Sequence, residues 1–229
     1  AYTDVGENGK GQGGNFNITS KSLSLTNGAQ LVANNKNQGN AGNIIINTGS
    51  LSVSDNSLLA ANTNGKGNAG NITINAGDSI SFDRGSAYTD VSKNGQGQAG
   101  NFNINSKSLS LTNSAQIVAS TKNEGNAGDI NINTDSLSVS NNSFLAASAN
   151  GQKGDAGNIN INARDTVSFG KESQAYTDVT TKGNGGDINI ITSSLFVTDD
   201  SFLASSTKGE GNSGNITINA GDSISFDRS

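Results

Sequence analysis

The chain of 229 residues contains no cysteine, histidine, proline, methionine or tryptophan, and only 5% of its residues are aromatic. Without cysteine there is no disulfide bond, no thiolate nucleophile and no cysteine-based metal site. Without histidine, the usual general base and the usual transition-metal ligand are missing as well. We therefore expect neither an enzyme nor a cofactor or metal site.

Net charge and hydropathy narrow the range of partners. The formal net charge is −5 at pH 7, so we expect no nucleic-acid partner, because phosphate backbones are bound by basic surfaces. Apolar residues occur only in short runs, none of which approaches the length of a membrane-spanning helix.

Glycine is abundant instead, with 30 residues, and it recurs at fixed offsets. Five segments are nearly identical: GNAGNIIIN at 39–47, GNAGNITIN at 67–75, GNAGDININ at 125–133, GDAGNININ at 154–162 and GNSGNITIN at 211–219. The last glycine of this motif, the anchor glycine, recurs at intervals of 28 to 30 residues, at Gly14, Gly42, Gly70, Gly100, Gly128, Gly157, Gly186 and Gly214. Such regular spacing predicts a solenoid of eight coils.

Each copy holds three short segments of strand character. Examples are 71–75 (NITIN), 51–53 (LSV) and 31–33 (LVA). The first two alternate apolar and polar residues, as a strand with one buried face does. Three strands and three corners per coil predict an all-β, three-sided parallel β-helix, formed as a single domain over residues 1–229. We expect it to be right-handed, because parallel crossovers almost always are, and roughly 38 Å tall.

The anchor motif suggests how the coils are joined. Glycine tolerates positive φ and could turn the corner after the long polar loop. The residue after it is always Asn or Asp, and identical amides at strand spacing can bond to one another along the rod. The predicted ladder comprises Asn15, Asn43, Asn71, Asn101, Asp129, Asn158, Asp187 and Asn215.

A longer repeat overlies the coils. AYTDV occurs at 1–5, 87–91 and 175–179, and SISFDR at 79–84 and 223–228, so the larger unit is three coils. Neither end carries a polar cap of the kind that protects a free-standing solenoid. The expectation is a window of a longer array, or end-to-end stacking of copies.

The repeat resembles those of filamentous-haemagglutinin-like exoproteins of two-partner secretion systems, in the form common in cyanobacteria. The likeness rests on GNAGNITINA at 67–76, followed by segments such as DSLSVSNNS at 135–143 and an apolar–Ala strand. It extends over essentially the whole chain. The resemblance implies export through a dedicated outer-membrane pore, a secreted or surface-bound rod, and a role in adhesion or matrix.

Carboxylates offer little for catalysis. Asp4, Asp90 and Asp178 share one predicted column, but equivalent positions three coils apart are separated by about 14 Å. That is too far for a catalytic pair, so we expect solvated surface carboxylates. Asp199 and Asp200 form an isolated pair in a turn, and the same interpretation applies.

One lysine per coil lies in the long loop: Lys10, Lys36, Lys66, Lys93, Lys122, Lys153, Lys182 and Lys208. A row of ammonium groups would suit an acidic polysaccharide. The alternative is that the charges keep the loops hydrated and prevent lateral aggregation.

A column on the third strand is the other candidate contact surface. If Leu31, Leu58, Ile117, Phe144 and Phe202 point inward, their neighbours point outward. Those neighbours are Tyr2, Val32, Leu59, Tyr88, Val118, Leu145, Tyr176 and Leu203. Exposed apolar stripes mark contact surfaces, for a second rod or for sugar rings. The alternative is that this strand bends and buries both columns.

The sequence thus favours a structural segment of an extracellular fibre or adhesin stalk, which self-associates end to end or side by side. A carbohydrate-binding module that uses the lysines or the tyrosines is the alternative.

Overall fold

Most coils contribute one long and one short strand, which together contain the three predicted segments. In the computed structural model, which describes residues 1–228, all regular structure is β and no helix occurs in that range. The strands are β1 (Phe16–Leu25), β2 (Gln30–Val32), β3 (Ile44–Ser54), β4 (Leu58–Ala60), β5 (Ile72–Asp83), β6 (Ser86–Tyr88), β7 (Phe102–Asn105), β8 (Ser108–Thr112), β9 (Gln116–Val118), β10 (Ile130–Ser140), β11 (Phe144–Ala146), β12 (Ile159–Gly170), β13 (Gln174–Tyr176), β14 (Ile188–Thr198), β15 (Phe202–Ala204) and β16 (Ile216–Asp227). None of these residues lies in a helix long and apolar enough to cross a membrane.

Every strand pairs in parallel with its equivalent in the next coil. The long strands form one sheet, in the order β1-β3-β5-β7-β10-β12-β14-β16, with β8 between β5 and β10. The short strands form a second sheet, β2-β4-β6-β9-β11-β13-β15. Successive turns of one continuous chain therefore stack as a β-solenoid of eight coils.

The first two predicted strands of a coil are one long strand with a bend, except in the fourth coil, where β7 and β8 are separate. In β3 the residues Ile44, Ile46 and Thr48 are buried, and burial then resumes at Leu51 and Val53. The inward alternation therefore changes phase at the bend, where the pairing register also shifts. The Thr48 hydroxyl donates to the Ser50 carbonyl at 2.9 Å across the bend.

The core lies between the two sheets as continuous columns of apolar side chains. Ile44 stacks on Ile72 and Val53 on Phe82, and all four are fully buried. Burial of such a side chain contributes about 1.5–3 kcal/mol each, so the columns supply the driving force for stacking. The equivalent positions of β16 are exposed, since no further coil of the described chain covers them.

The glycines of the repeat have two separate roles, which differ from the prediction. Positive φ occurs at the first glycine of the motif, as at Gly67 (φ 131°). The anchor glycine is needed for space, because a Cβ on Gly70 would overlap the main-chain carbonyl of Gly42 in the coil below. The predicted turn at the anchor glycine is thus wrong, and close approach of successive coils explains that residue.

The corner between the long and the short strand is a two-residue left-handed turn. Both turn residues have positive φ in six coils: 27–28, 55–56, 113–114, 141–142, 171–172 and 199–200. Asn, Asp and Gly adopt this conformation most easily, whereas other L-residues lose about 1–2 kcal/mol. Lys171 (φ 54°) and Glu172 (φ 62°) are therefore strained.

Replacing Glu172 by glycine should stabilise the protein. Gly28 occupies the equivalent position with φ 72°, so the turn itself is unchanged. After the greater backbone entropy of glycine in the unfolded chain is subtracted, we expect a gain of about 0.5–1 kcal/mol in the free energy of unfolding. Urea denaturation measures it. Glu172→Ala is the matched control, because it removes the side chain but keeps the strain; an equal gain in both variants would contradict the explanation.

Candidate functional site: outward-facing columns of the solenoid

The eight predicted ladder positions form one column joined by hydrogen bonds. In the first seven coils the side-chain oxygen accepts a bond from the main-chain N–H of its equivalent in the next coil. Asn43 donates to Asn15 at 2.7 Å, Asn101 to Asn71 at 2.8 Å and Asn158 to Asp129 at 2.7 Å. Side-chain amides were expected to be the donors, but the backbone donates instead. Because the column needs only acceptor oxygens, Asp129 and Asp187 fit it as well as asparagine does.

Bonds between side-chain amides do occur, in columns that the sequence reasoning passed over. The Asn75 amide donates to Asn47 at 2.9 Å, and the Asn105 amide donates to Asn75 at 2.8 Å. The same pattern joins Asn160 to Asn131 at 2.9 Å. The signal was present in the N-I-N-I-N segments, whose asparagines point away from the core.

The AYTDV segments make polar contacts both across the long loop and between coils. Thr3, Thr89 and Thr177 each donate to the carbonyl of an anchor glycine at 2.5 Å. The aspartates belong to a second ladder, in which side-chain oxygens accept mostly from main-chain N–H groups one coil away. That ladder comprises Asp4, Asn34, Asn62, Asp90, Ser120, Ser148, Asp178 and Ser206.

Asp90 is buried, which corrects the expectation of solvated carboxylates. It is 6% exposed; its Oδ1 accepts the Ser120 N–H at 3.0 Å, and Lys122 lies 3.4 Å from its Oδ2. Burial raises the pKa of Asp90 to about 6, and Lys122 opposes that rise only in part. Asp4 and Asp178 lie in the same column, three coils away on either side, so no carboxylate pair forms here.

The lysines do not form a single row. In the pairing between coils, Lys10, Gln38 and Lys66 follow one another in one column. At the same place in later coils, Glu124 pairs with Lys153, and Lys182 pairs with Glu210. The other loop lysines fall outside that column: Lys36, Lys122 and Lys208 follow a neighbouring column of paired residues, and Lys93 belongs to neither.

Several of these lysines have acidic partners. Lys36 lies 3.0 Å from Asp4, and Lys182 lies 2.9 Å from Glu210. The hydrogen bond to Asp4 raises the pKa of Lys36 above its ordinary value. The loop surface is therefore of mixed sign rather than a uniformly basic ridge.

The register of the short strands differs from the prediction by one residue in some coils. Leu31 pairs with Leu59, and Phe144 and Phe202 both pair with Gln174. The inward column is Leu31, Leu59, Ala87, Ile117, Leu145, Ala175 and Leu203. Leu58, Phe144 and Phe202, predicted inward, lie in an outward column.

Tyr2, Tyr88 and Tyr176 do lie in one outward column, three coils apart. Tyr2 is 62% exposed, whereas Val32 and Val118 in the same column are almost fully buried. The predicted apolar stripe is thus reduced to the tyrosines and to the phenylalanines of the adjacent column.

The described surface offers polar columns and scattered aromatic groups. Within residues 1–228 no group of three or more Asp and Glu residues is placed to hold a metal ion. Comparison with protein-family models, with curated proteins and with solved structures finds no match to this chain.

Asn71→Ala tests the ladder. It removes the acceptor of the Asn101 N–H, and we expect the free energy of unfolding to fall by about 1 kcal/mol. Asn71→Asp keeps the acceptor and should be nearly neutral, because Asp129 and Asp187 accept the same bond in their coils. Urea midpoints of both variants decide the matter. Equal losses in the two would show that the hydrogen bond is not what stabilises this position.

Asp90 should make stability depend on pH. Its folded pKa of about 6 lies above the ordinary 3.8, so between these values the folded protein holds a proton that the unfolded chain has lost. Stability therefore falls as pH rises from about 4 to 6, by up to about 3 kcal/mol. Asp90→Asn should remove this fall and be more stable at pH 7, since Asn62 holds the equivalent position. Unfolding free energies measured from pH 4 to 7 test this; an Asn variant with the wild-type pH profile would refute it.

Proposed function

We propose that this chain is a structural segment of an extracellular fibre or adhesin stalk. In this role a stiff β-solenoid rod holds other parts of a secreted protein at a distance from a cell surface, or forms part of a matrix. The observation that carries the proposal is the continuity of hydrogen bonding from coil to coil on every side of the solenoid.

Main-chain ladders join both the long and the short strands of successive coils. Even the polar loops are joined, since Asn35 pairs with Thr63 and Thr63 with Val91. Side-chain ladders add further bonds at the corners, as from Asn71 to Asn43 at 2.8 Å. In such an array each coil contacts only its neighbours and stability sums along the axis, which suits a load-bearing rod.

The extracellular location is supported by the resemblance of the repeat to filamentous-haemagglutinin-like exoproteins. The same resemblance implies an outer-membrane secretion pore as a partner. Self-association of the rod, end to end or side by side, would produce longer fibres. The lack of cysteine is compatible with either an oxidising or a reducing compartment.

Force spectroscopy tests the rod directly. With the chain held at residues 1 and 228, we expect coils to peel off one at a time from an end. A coil of 28 residues releases about 95 Å of extended chain, so extension should rise in steps of that size. One single step that releases the whole chain, or extension without steps, would contradict a rod stabilised coil by coil.

A disulfide variant provides the matched control. The hydroxyl oxygens of Ser81 and Ser110 lie 3.4 Å apart on adjacent coils, so a Ser81→Cys, Ser110→Cys pair is placed to cross-link them. Under oxidising conditions total extension should shorten by about 95 Å, and reduction should restore it. Unchanged extension with the disulfide formed would mean that these coils do not separate under load.

A further inference from the structure

An aromatic patch lies on the outer surface of the short-strand sheet. Phe144, Gln174 and Phe202 occupy one outward column in three successive coils. Tyr176 lies beside them, two residues beyond Gln174 on β13. The ring centroids of Phe144 and Tyr176 are 5.7 Å apart, with the rings tilted by 36°. We call these four residues the aromatic patch.

The other two tyrosines of the column are differently placed. The Tyr2 hydroxyl donates to Gln30 Oε1 at 2.6 Å, and the Tyr88 hydroxyl donates to Gln116 Oε1 at 2.7 Å. Each glutamine belongs to the coil that follows its tyrosine, in the outward column of the short strands. At these two places the tyrosine hydroxyl therefore already has a hydrogen-bond partner within the protein.

At Tyr176 the position of that glutamine is occupied by Phe202. Among residues 1–228 the Tyr176 hydroxyl and the Gln174 amide side chain have no hydrogen-bond partner, and both residues are only partly buried. Burial, together with the nearby charge of Asp178, raises the pKa of Tyr176. One hydroxyl and one amide are thus available to a ligand between two phenylalanine rings.

The shape of the patch suits an extended chain. Ala146 and Ala204 lie on either side of Tyr176 in its own column, so the tyrosine ring stands between two small side chains. Phe144 and Phe202 are two coils apart, which is about 9.6 Å along the axis. That distance is close to the length of two linked pyranose rings.

We propose that the aromatic patch binds a neutral polysaccharide chain that runs along the solenoid axis. The apolar faces of two sugar rings pack on Phe144 and Phe202, while sugar hydroxyls bond to the Gln174 amide and the Tyr176 hydroxyl. Apolar walls with a few polar groups that fix orientation are typical of ligand sites. A neutral polymer fits better than an acidic one, because Asp178 lies near Tyr176 and the net charge is −5. This inference goes beyond the rod, which stands whether or not the patch binds sugar.

Affinity electrophoresis tests the site with the purified chain. Native gels contain hydroxyethylcellulose, mixed-linkage β-glucan, galactomannan or, as an acidic polymer, alginate. We expect at least one neutral polysaccharide to retard the wild-type chain. Phe202→Gln places at this position the residue that the first and fourth coils have, at Gln30 and Gln116, so the fold should be preserved. Because the variant lacks one of the two phenylalanine rings, we expect it to bind at least tenfold more weakly.

Two further variants complete the experiment. Phe196→Ser removes another exposed phenylalanine of the same coil, on a face where its paired neighbours are Ser168 and Ser225, and should bind as wild type does. Tyr176→Phe keeps the ring and removes the hydroxyl, so it should weaken binding several-fold.

Three results would overturn the proposal. The first is that no neutral polysaccharide retards the wild type. The second is that Phe202→Gln and Tyr176→Phe both bind as tightly as wild type. The third is retardation by alginate alone that is abolished by salt, which would assign binding to the loop lysines. Circular dichroism of each variant shows that altered binding is not loss of fold.

Discussion

Parallel, in-register stacking of coils is the constraint on which the other features depend. Every residue lies about 4.8 Å from its equivalents above and below, so each position of the repeat becomes a column along the rod. Apolar columns gain from this arrangement, as in the fully buried Ile44 and Ile72. Columns of like charge are destabilised by it. This constraint explains why asparagine, serine and glycine are abundant. Uncharged polar side chains can stack on identical neighbours, and glycine allows successive coils to approach closely.

The distribution of charge obeys the same constraint. Charged residues concentrate at bends, turns and loops, where they can meet a charge of opposite sign. At the bend of the long strand, Lys107 lies 2.7 Å from Asp78, and Arg164 lies 3.2 Å from Asp135. Such exposed pairs contribute little stability, but they avoid repulsion between coils. The mixed signs in the lysine columns have the same explanation.

How far the sequence predicts this structure depends on how distinctive each position is. The spacing of the anchor glycines is enough to predict the solenoid and the alignment of the long strands. Around each anchor glycine, the glycine and the isoleucines after it can be matched between coils in only one way. The short strands were misaligned because adjacent apolar residues, such as Leu58 and Leu59, allow two registers, and only the stacking of the neighbouring coil chooses between them. The burial of Asp90 was missed for a related reason: an Asp at an outward position gives no sign that its surroundings enclose it. The aromatic patch depends on that corrected register, so the sequence alone could not assemble it.

The central claim, that coils stack one per strand spacing, can be measured with spin labels. The chain has no cysteine of its own, so pairs can be introduced without interference. Ser24, Ser138 and Ser225 lie in one outward column, in the first, fifth and eighth coils. Electron paramagnetic resonance should give distances of about 19 Å for the first pair of labels and about 34 Å for the widest pair, apart from label length. Distances that do not grow linearly with the number of coils between the labels would contradict the stacking, and with it the account of composition, charge and stiffness.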